Sequence, residues 1–147
     1  MNKKEKFVRV QRKSNEDYKK TLNKIIKTKK CPFCPENFLY HKKPILKKYR
    51  KWIATENSWP YENAQHHFLL IPIAHKVDFS QLTSEDFSAI RYLVSFLKKD
   101  FSIEGGGITV RFGDPVKTGS TVSHIHFHFI VPKTTKSKEK PVYFPIG

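Results

Sequence analysis

Three histidines alternate along the segment HIHFHFIVP, residues 124–132. Successive side chains of a β-strand point to opposite faces, so a strand over residues 124–131 places His124, His126 and His128 on one face and apolar residues on the other. Such a row suits two kinds of chemistry. The imidazoles could bind a metal ion, or they could form a phosphate site in which a neutral imidazole attacks phosphorus and a neighbouring group stabilises the oxygens.

The loop before these histidines favours the phosphate interpretation. Residues 118–123, TGSTVS, supply hydroxyl groups, backbone N–H groups and a glycine that allows a ligand to approach closely. These are features of anion-binding loops. Next to three alternating histidines, such a loop points to a bound phosphate.

Together these segments resemble the signature of the histidine-triad (HIT) superfamily of nucleotide hydrolases and transferases. Residues 124–130 match the family pattern of three histidines alternating with apolar residues, and residues 119–124 match the upstream glycine-x-threonine-valine-x-histidine pattern. The similarity continues through NSWPY at residues 57–61 and HFLLIPIAH at residues 67–75. It covers about residues 31–132.

The resemblance implies a fold and a mechanism. The fold is an α+β, HIT-like meander of antiparallel strands with one long packed helix, plus an N-terminal helix. In the mechanism, His126 attacks the α-phosphorus of a nucleotide and forms a covalent nucleotidyl-histidine. His128 contacts the phosphate oxygens or the leaving group, and His124 orients the site from the side. The leading substrates are dinucleoside polyphosphates and nucleoside phosphoramidates, with water or another acceptor completing the reaction.

The resemblance also implies which residues bind the nucleotide. Asn57 occupies the position that contacts the ribose hydroxyls, and the loop residues Gly119, Ser120 and Thr121 hold the phosphate. Ser120 stands where many members of the family have glutamine, which shortens the reach toward phosphate.

Aromatic and basic residues complete the expected substrate site. Trp59 and Tyr61 lie in a predicted turn beside Asn57 and could line a nucleobase pocket. Arg111 stands where many members of the family have asparagine, and it adds positive charge near the site. The departures at Ser120 and Arg111 affect which substrate is expected more than which reaction is expected.

Two cysteines separated by two residues form a second chemical motif. In a chain without a secretion signal, this spacing indicates metal binding or redox chemistry before a structural disulfide. Some HIT proteins have a zinc site of this kind, completed by a histidine of the second strand and the first histidine of the triad. A structural Zn²⁺ with two sulfur and two nitrogen ligands is therefore expected. The ligands that the resemblance implies are Cys31, Cys34, His67 and His124, with His66 and His75 as the nearby alternatives.

The remaining sequence predicts the elements that position these groups. Apolar residues at helical spacing predict an amphipathic helix over residues 15–29 and a longer helix that Thr83 or Ser84 caps. The longer helix carries an apolar stripe, and a run of three glycines ends the segment. Strands at 52–57, 67–73, 108–112 and 124–131 surround it, which predicts an α+β domain with a largely antiparallel sheet. The stripe consists of Phe87, Ile90, Leu93, Val94, Leu97 and Phe101.

The net charge of +15 is concentrated at the two ends of the chain. Residues 1–30 hold twelve Lys/Arg against three Asp/Glu, whereas residues 52–132 hold six against eight. We therefore predict a basic N-terminal extension with an amphipathic helix over residues 1–30, a HIT-like catalytic domain over residues 31–132, and a basic C-terminal tail over residues 133–147. The flanks favour solubility and could bind nucleic acid weakly.

Two rival functions follow from the same features. One is a nucleic-acid-binding or end-processing protein whose basic flanks contact the backbone, and the other is a nucleotide sensor that keeps the pocket without catalysis. No apolar run approaches the roughly 18–20 residues of a membrane span, and the charged N-terminus lacks an apolar signal core. The sequence thus predicts a cytoplasmic protein without a membrane partner, and the resemblance implies a homodimer.

Overall fold

The structure is a computed structural model that describes residues 7–8, 15–134 and 140–147. All paired strands run antiparallel, so the predicted α+β class is confirmed. The helices are α1 (Glu16–Thr28), α2 (Ser84–Asp100) and α3 (Pro115–Thr118), and the strands are β1 (Ile45–Tyr49), β2 (Trp52–Glu56), β3 (Ala64–Pro72), β4 (Gly107–Val110) and β5 (Phe127–Pro132).

The five strands form one sheet in the order β1-β2-β3-β5-β4. The first three strands follow one another as a meander, and β5 then inserts between β3 and β4. β1 is absent from the sequence prediction because its ILKKY sequence contains two adjacent lysines, which obscure the apolar alternation. The position of β5 means that the strand carrying His128 is held by hydrogen bonds on both sides.

The triad segment enters the sheet later than predicted. β5 begins at Phe127, so His124 and His126 lie before it, outside the strand. The reason is local to the end of β3, where Pro72 has no N–H group to continue the ladder. The backbone N–H of Ile125 instead donates to the carbonyl of Lys76 at 2.7 Å.

Helix α2 covers one face of the sheet and forms the main core with it. Thr83 caps the helix, and its side chain and that of Asp86 bond each other's backbone N–H groups in a capping box. Phe87, which the sequence places in the buried stripe, is 42% exposed, and Ala89 is buried in its place. Each large apolar side chain buried here stabilises the fold by roughly 1.5–3 kcal/mol.

The opposite face of the sheet carries the histidines. His67, Leu69 and Ile71 of β3 alternate with the core residues, and His128 lies across from Leu69. Helix α1 packs beside this face through Leu22 and Ile25, which are buried in a small cluster of their own. Within the described ranges, no helix combines the length and apolarity needed to cross a membrane.

Candidate active site and metal centre

His126 is held in one tautomer by the backbone next to it. Its Nδ1 lies 2.7 Å from the carbonyl oxygen of His124. A carbonyl only accepts hydrogen bonds, so Nδ1 carries the proton and Nε2 keeps a lone pair. The pKa of His126 is lowered to about 4, chiefly by burial and also by the charge of Arg111, while the hydrogen bond to the carbonyl of His124 opposes the shift. The ring is therefore neutral near pH 7, which is the nucleophilic form.

His128 is oriented by a chain of hydrogen bonds that begins in the backbone. The N–H of Tyr61 donates to His67 Nδ1 at 3.1 Å, so the proton of His67 lies on Nε2. His67 Nε2 is 2.8 Å from His128 Nδ1 and donates to it. The proton of His128 is thereby placed on its Nε2, which is buried and has no hydrogen-bond partner among the described residues. A buried donor without a partner is suited to an anionic oxygen of a ligand.

Both rings of this chain are neutral at physiological pH. Burial, together with His126 and Arg111, lowers the pKa of His67 to about 4. Burial also lowers the pKa of His128 well below its usual value. His67 is thus hydrogen-bonded to His128 and orients its ring.

A second cluster contains both cysteines. The ligand atoms of Cys31, Cys34, His75 and His124 all lie within 4.8 Å of one another. His124 Nδ1 is 3.4 Å and 3.8 Å from the two sulfurs and 3.2 Å from His75 Nδ1. A tetrahedral zinc site with Zn–S of about 2.3 Å and Zn–N of about 2.05 Å requires roughly 3.6 Å between S and N and roughly 3.3 Å between two N atoms. The distances therefore fit a Cys₂His₂ zinc site.

The protonation pattern of this cluster also suits a metal. His124 Nε2 donates to the carbonyl of Pro72 at 2.8 Å, which leaves the lone pair on Nδ1, directed at the sulfurs. Burial lowers the pKa of His124 to about 4. Burial raises the pKa of Cys31, and burial together with Cys31 raises that of Cys34 to about 12. Both thiols therefore must release protons when a metal binds.

The implied ligand His67 does not belong to the cluster. It lies within β3, five residues and hence roughly 17 Å along the strand from Pro72, whose carbonyl accepts a hydrogen bond from His124 of the cluster. After Pro72 the chain bends, which brings His75 to His124. His75 therefore takes the position that the resemblance implies for His67.

The N-terminal extension forms a wall of the active-site cavity. The hydroxyl of Tyr18 on α1 lies 2.8 Å from Thr121 Oγ1, and the Tyr18 ring is 5.3 Å from the ring of Trp59. Val8 forms an antiparallel bridge with Val122. Sequence reasoning places Tyr18 only on the apolar face of an amphipathic helix, because nothing in its spacing indicates which neighbour it meets.

The loop implied to hold phosphate is only partly directed at the cavity. Gly119 ends α3 in the left-handed conformation at φ 72°, and Ser120 donates its hydroxyl proton to the carbonyl of Val122 at 2.9 Å. Thr121 is the one of the three loop residues that lines the cavity.

The remaining implied substrate residues line the same cavity, whose volume is about 150 Å³. Arg111 Nη2 donates to the Tyr61 hydroxyl at 2.8 Å, and its Nε donates to the carbonyl of Pro145 at 2.7 Å. The side chain of Asn57 accepts a hydrogen bond from the N–H of Trp59 at 2.9 Å. The cavity thus combines two catalytic histidine candidates, aromatic rings and a cation. Its lining includes Tyr18, Asn57, Trp59, Tyr61, Arg111, Thr121, His126 and His128.

Comparisons with known proteins place this arrangement in context. Residues 19–142 match the family model described as "Scavenger mRNA decapping enzyme C-term binding". Among solved structures, the chain is similar to the histidine triad nucleotide-binding protein from Candida albicans at 22% identity, over 80% of this chain and 85% of that chain, with a TM-score of 0.60. No curated protein matches the chain.

Two further structures are informative. A Zn-bound histidine triad family protein from Mycobacterium smegmatis is 20% identical over 80% of this chain and 82% of that chain, with a TM-score of 0.55. The Plasmodium falciparum diadenosine triphosphate hydrolase, in complex with Cyclomarin A, is 23% identical over 63% of this chain and 62% of that chain, with a TM-score of 0.51. At these identities the structural similarity shows the shared fold.

Proposed function

Because the chain belongs to the histidine-triad superfamily, in the family described as "Scavenger mRNA decapping enzyme C-term binding", we propose that it is a nucleotide hydrolase in which His126 is the covalent nucleophile. The observation that carries the proposal is the hydrogen bond from His126 Nδ1 to the carbonyl of His124, which leaves the lone pair on Nε2. Its neutral form at physiological pH supports the same role.

The reaction proceeds in two displacements. In the first, His126 Nε2 forms a bond to the α-phosphorus, and the bond from phosphorus to the leaving group breaks, the electron pair leaving with that group. The positive charge on the ring is stabilised by the Nδ1–H bond to the carbonyl of His124. In the second, water attacks phosphorus, the P–N bond breaks, Nε2 recovers its electron pair, and the proton of the water passes to solvent. Attack by another acceptor in place of water makes the same intermediate a transferase intermediate.

His128 stabilises the charge that develops on phosphorus. Its Nε2–H is buried and aligned by His67, so it can donate to a non-bridging oxygen without reorganisation. Removal of one preorganised donor from the oxyanion hole of a serine protease costs about 2.7–4 kcal/mol of transition-state stabilisation. Thr121 and Arg111 line the same cavity and supply a hydroxyl and a positive charge for the phosphates.

The substrate class is proposed from the cavity and from the names of similar proteins. A dinucleoside polyphosphate is the first choice, because one similar structure is a diadenosine triphosphate hydrolase and the family description names an mRNA decapping enzyme. A nucleoside phosphoramidate is the second. Trp59 and Tyr18 would flank the base, and Asn57 would contact the ribose.

We also propose that Cys31, Cys34, His75 and His124 hold a structural Zn²⁺. The two-sulfur, two-nitrogen donor set and its spacing support this ion, as does the Zn-bound neighbour. The ion would tie the segment after α1 to the segment before β5. His126 and His128 stay available for the reaction.

A homodimer through the β4 edge is the proposed assembly. In the described part of the chain, β4 pairs with β5 alone, and Ile108 on it is 49% exposed. An open edge with an exposed apolar residue favours pairing with a second copy. Sedimentation should give the mass of a dimer for the wild type and the mass of a monomer for Ile108→Lys. The same mass for both proteins would contradict the proposed interface.

The test of the function is to trap the intermediate. Wild-type protein mixed with diadenosine triphosphate or adenosine 5′-phosphoramidate and quenched rapidly should show one covalent adenylyl group by intact mass, located on His126. A nucleotide sensor would bind the same compounds without an adduct. A nucleic-acid-processing protein would instead show binding to RNA or DNA that weakens steeply with salt. Absence of both adduct and turnover would overturn the proposal.

A further inference from the structure

We propose that the C-terminal segment, residues 141–147, is a strap across the leaving-group side of the active site, and that Phe144 limits which leaving groups the site accepts. This inference rests on the proposed function, because it concerns the part of the substrate that departs from His126. Four sets of contacts carry it.

The first is the position of Phe144 against the triad. Its ring lies 5.0 Å from the ring of His128 in an edge arrangement and 6.0 Å from the ring of Tyr61. Phe144 therefore covers the histidine whose Nε2 donor has no partner in the described chain. A leaving group that contacts this donor must share the space with the Phe144 ring.

The second is the size of the cavity with the strap in place. Pro145 of the strap forms part of its wall, and its volume is about 150 Å³. Pockets for small-molecule ligands usually measure about 300–1,000 Å³. A mononucleotide with a small leaving group needs less room than a dinucleotide, so the closed strap discriminates between them by size.

The third is the use of Arg111 as a latch. The guanidinium of Arg111 lies 4.1 Å from the ring centre of Phe144 and donates to the carbonyl of Pro145 at 2.7 Å. The same guanidinium donates to the Tyr61 hydroxyl. One cation therefore binds the strap to the wall of the cavity, and a phosphate that recruits Arg111 would weaken that bond.

The fourth is the contact between the strap and the loop before the triad. The N–H of Gly147 donates to the carbonyl of Thr118 at 2.9 Å. A Cβ on Gly119 would lie 2.5 Å from the carbonyl oxygen of Gly147, so the glycine is required for this close approach. The strap thus spans the site from His128 to the loop.

The strap is held weakly enough to be displaced. Tyr143 and Ile146 are 81% and 74% exposed, while the alternate residues Val142 and Phe144 are half-buried. A segment with few buried apolar contacts opens at a low free energy. A large leaving group must displace Phe144, whereas a small one need not.

Kinetics on two substrates that differ in the leaving group test the inference. Adenosine 5′-phosphoramidate and diadenosine triphosphate share the adenylyl group. Phe144→Ala should raise the ratio of kcat/KM for the triphosphate to kcat/KM for the phosphoramidate about tenfold. Tyr143→Ala, a change at the neighbouring exposed position, should leave both constants at the wild-type values. An unchanged ratio in Phe144→Ala, or one that falls, would overturn the size limit.

A readout independent of turnover separates this inference from the proposed function. Hydrogen exchange of the Gly147 amide in the full chain should be slow in the wild type and at least about tenfold faster in Arg111→Gln. If the wild type exchanges this amide at the rate of an unstructured peptide, the strap is not closed and the inference fails, whatever the enzyme hydrolyses. Slow exchange in a protein that hydrolyses neither substrate would retain the strap and reject the hydrolase.

Discussion

The two central histidines differ in the tautomer that their surroundings impose. The carbonyl of His124 fixes the proton of His126 on Nδ1, whereas the chain through His67 fixes the proton of His128 on Nε2. One ring is therefore a nucleophile and the other a donor, although both are neutral imidazoles. The difference arises from the partner of each Nδ1 and not from the ring itself.

His126→Ala should reduce turnover by at least about a thousandfold while nucleotide binding is kept, because a covalent nucleophile is lost and the cavity remains. Calorimetric binding of AMP and initial rates measure the two effects. His66→Ala is the matched control, since this histidine lies on the opposite face of β3 and contacts Phe68 and Phe101. A His126→Ala rate near that of the wild type would reject the assignment.

His67→Leu should lower kcat by about tenfold, the effect of losing one aligning hydrogen bond of roughly 1.4 kcal/mol. His67→Gln should recover much of that loss, because its amide N–H can still donate to His128 Nδ1. Zinc content should stay at the wild-type level in both variants, which a ligand role for His67 would not allow. Equal kcat in the Leu and Gln variants would contradict a role through hydrogen bonding.

At the scale of elements, one carboxylate links α2, β2 and the segment after β3. Asp86 accepts hydrogen bonds from Trp52 Nε1 at 2.8 Å, from Lys76 Nζ at 2.6 Å and from the N–H of Thr83 at 2.8 Å. Burial alone would raise the pKa of Asp86, but these hydrogen bonds outweigh it and hold the pKa at about 2. Lys76 directly follows His75, and its backbone carbonyl accepts a hydrogen bond from the N–H of Ile125. The network around Asp86 therefore positions the segment that leads into the triad.

The depressed pKa of Asp86 makes part of the folding free energy depend on pH. A folded-state pKa of about 2, against 3.8 when exposed, corresponds to about 2 kcal/mol that is present above pH 3.8 and is lost as pH falls toward 2. The difference in unfolding free energy between the wild type and Asp86→Asn should therefore be constant above about pH 5 and shrink below it. Urea unfolding from pH 2 to 7 measures it. As a control, Asp100→Asn at an exposed position should change the free energy of unfolding by less than about 0.5 kcal/mol at every pH. An effect of Asp86→Asn that does not vary with pH would contradict the link between the ionisation of Asp86 and stability.

At the scale of the whole molecule, the Cys₂His₂ cluster joins parts of the chain that are distant in sequence. Cys31 and His124 are 93 residues apart, yet Sγ and Nδ1 lie 3.4 Å from each other. A metal that binds only the folded chain adds its binding free energy to stability.

Purified protein should contain about one zinc per chain by elemental analysis. The ion should be lost in the Cys31→Ser/Cys34→Ser double variant and in His75→Ala, with a lower thermal midpoint in each, but kept in His67→Gln. A chelator-free preparation without metal would reject the zinc proposal. Loss of zinc in His67→Gln with retention in His75→Ala would restore the ligand set implied by the resemblance.

The positive charges of the N-terminal flank can be tested separately from its contacts with the cavity. Neutralising the N-terminal charges should change kcat on small nucleotides little, because Arg111 supplies a cation in the cavity itself and salt at physiological concentration screens longer-range charge effects. The residues to be changed to Gln are Lys3, Lys4, Lys6, Arg9, Arg12 and Lys13, all outside the described residues.

A buried side chain in the same part of the chain, Val8, provides the comparison with these charges. Val8→Ser should raise KM, because the buried Val8 side chain packs in one cluster with Leu22 and Ile25, which line the cavity. Steady-state rates at physiological and low salt distinguish charge from contact. A large loss of turnover in the neutralised protein, with its fold intact, would show that the charges belong to the site.

Features that depend on neighbours along the chain could be predicted from the sequence. The alternation of histidines, the spacing of the cysteines and the apolar periodicity of α1 and α2 are local, so the family, the α+β class and most elements follow from them. A local pattern gives a wrong prediction where the burial of a residue depends on parts of the chain that are distant in sequence. Phe87 follows the helical period but faces solvent, and the lysines of β1 hide a strand at the edge of the sheet.

Which partner each functional side chain contacts became clear from the three-dimensional fold. The resemblance implied His67 as a zinc ligand and left His75 as an alternative. In the structure the bend after Pro72 separates the two, so that His67 contacts His128 and His75 lies with the cysteines. In the same way, Tyr18 reaches Thr121 across 103 residues, and Phe144 reaches His128 from the C-terminal tail. Such contacts depend on how the chain closes on itself, which no spacing along the sequence encodes.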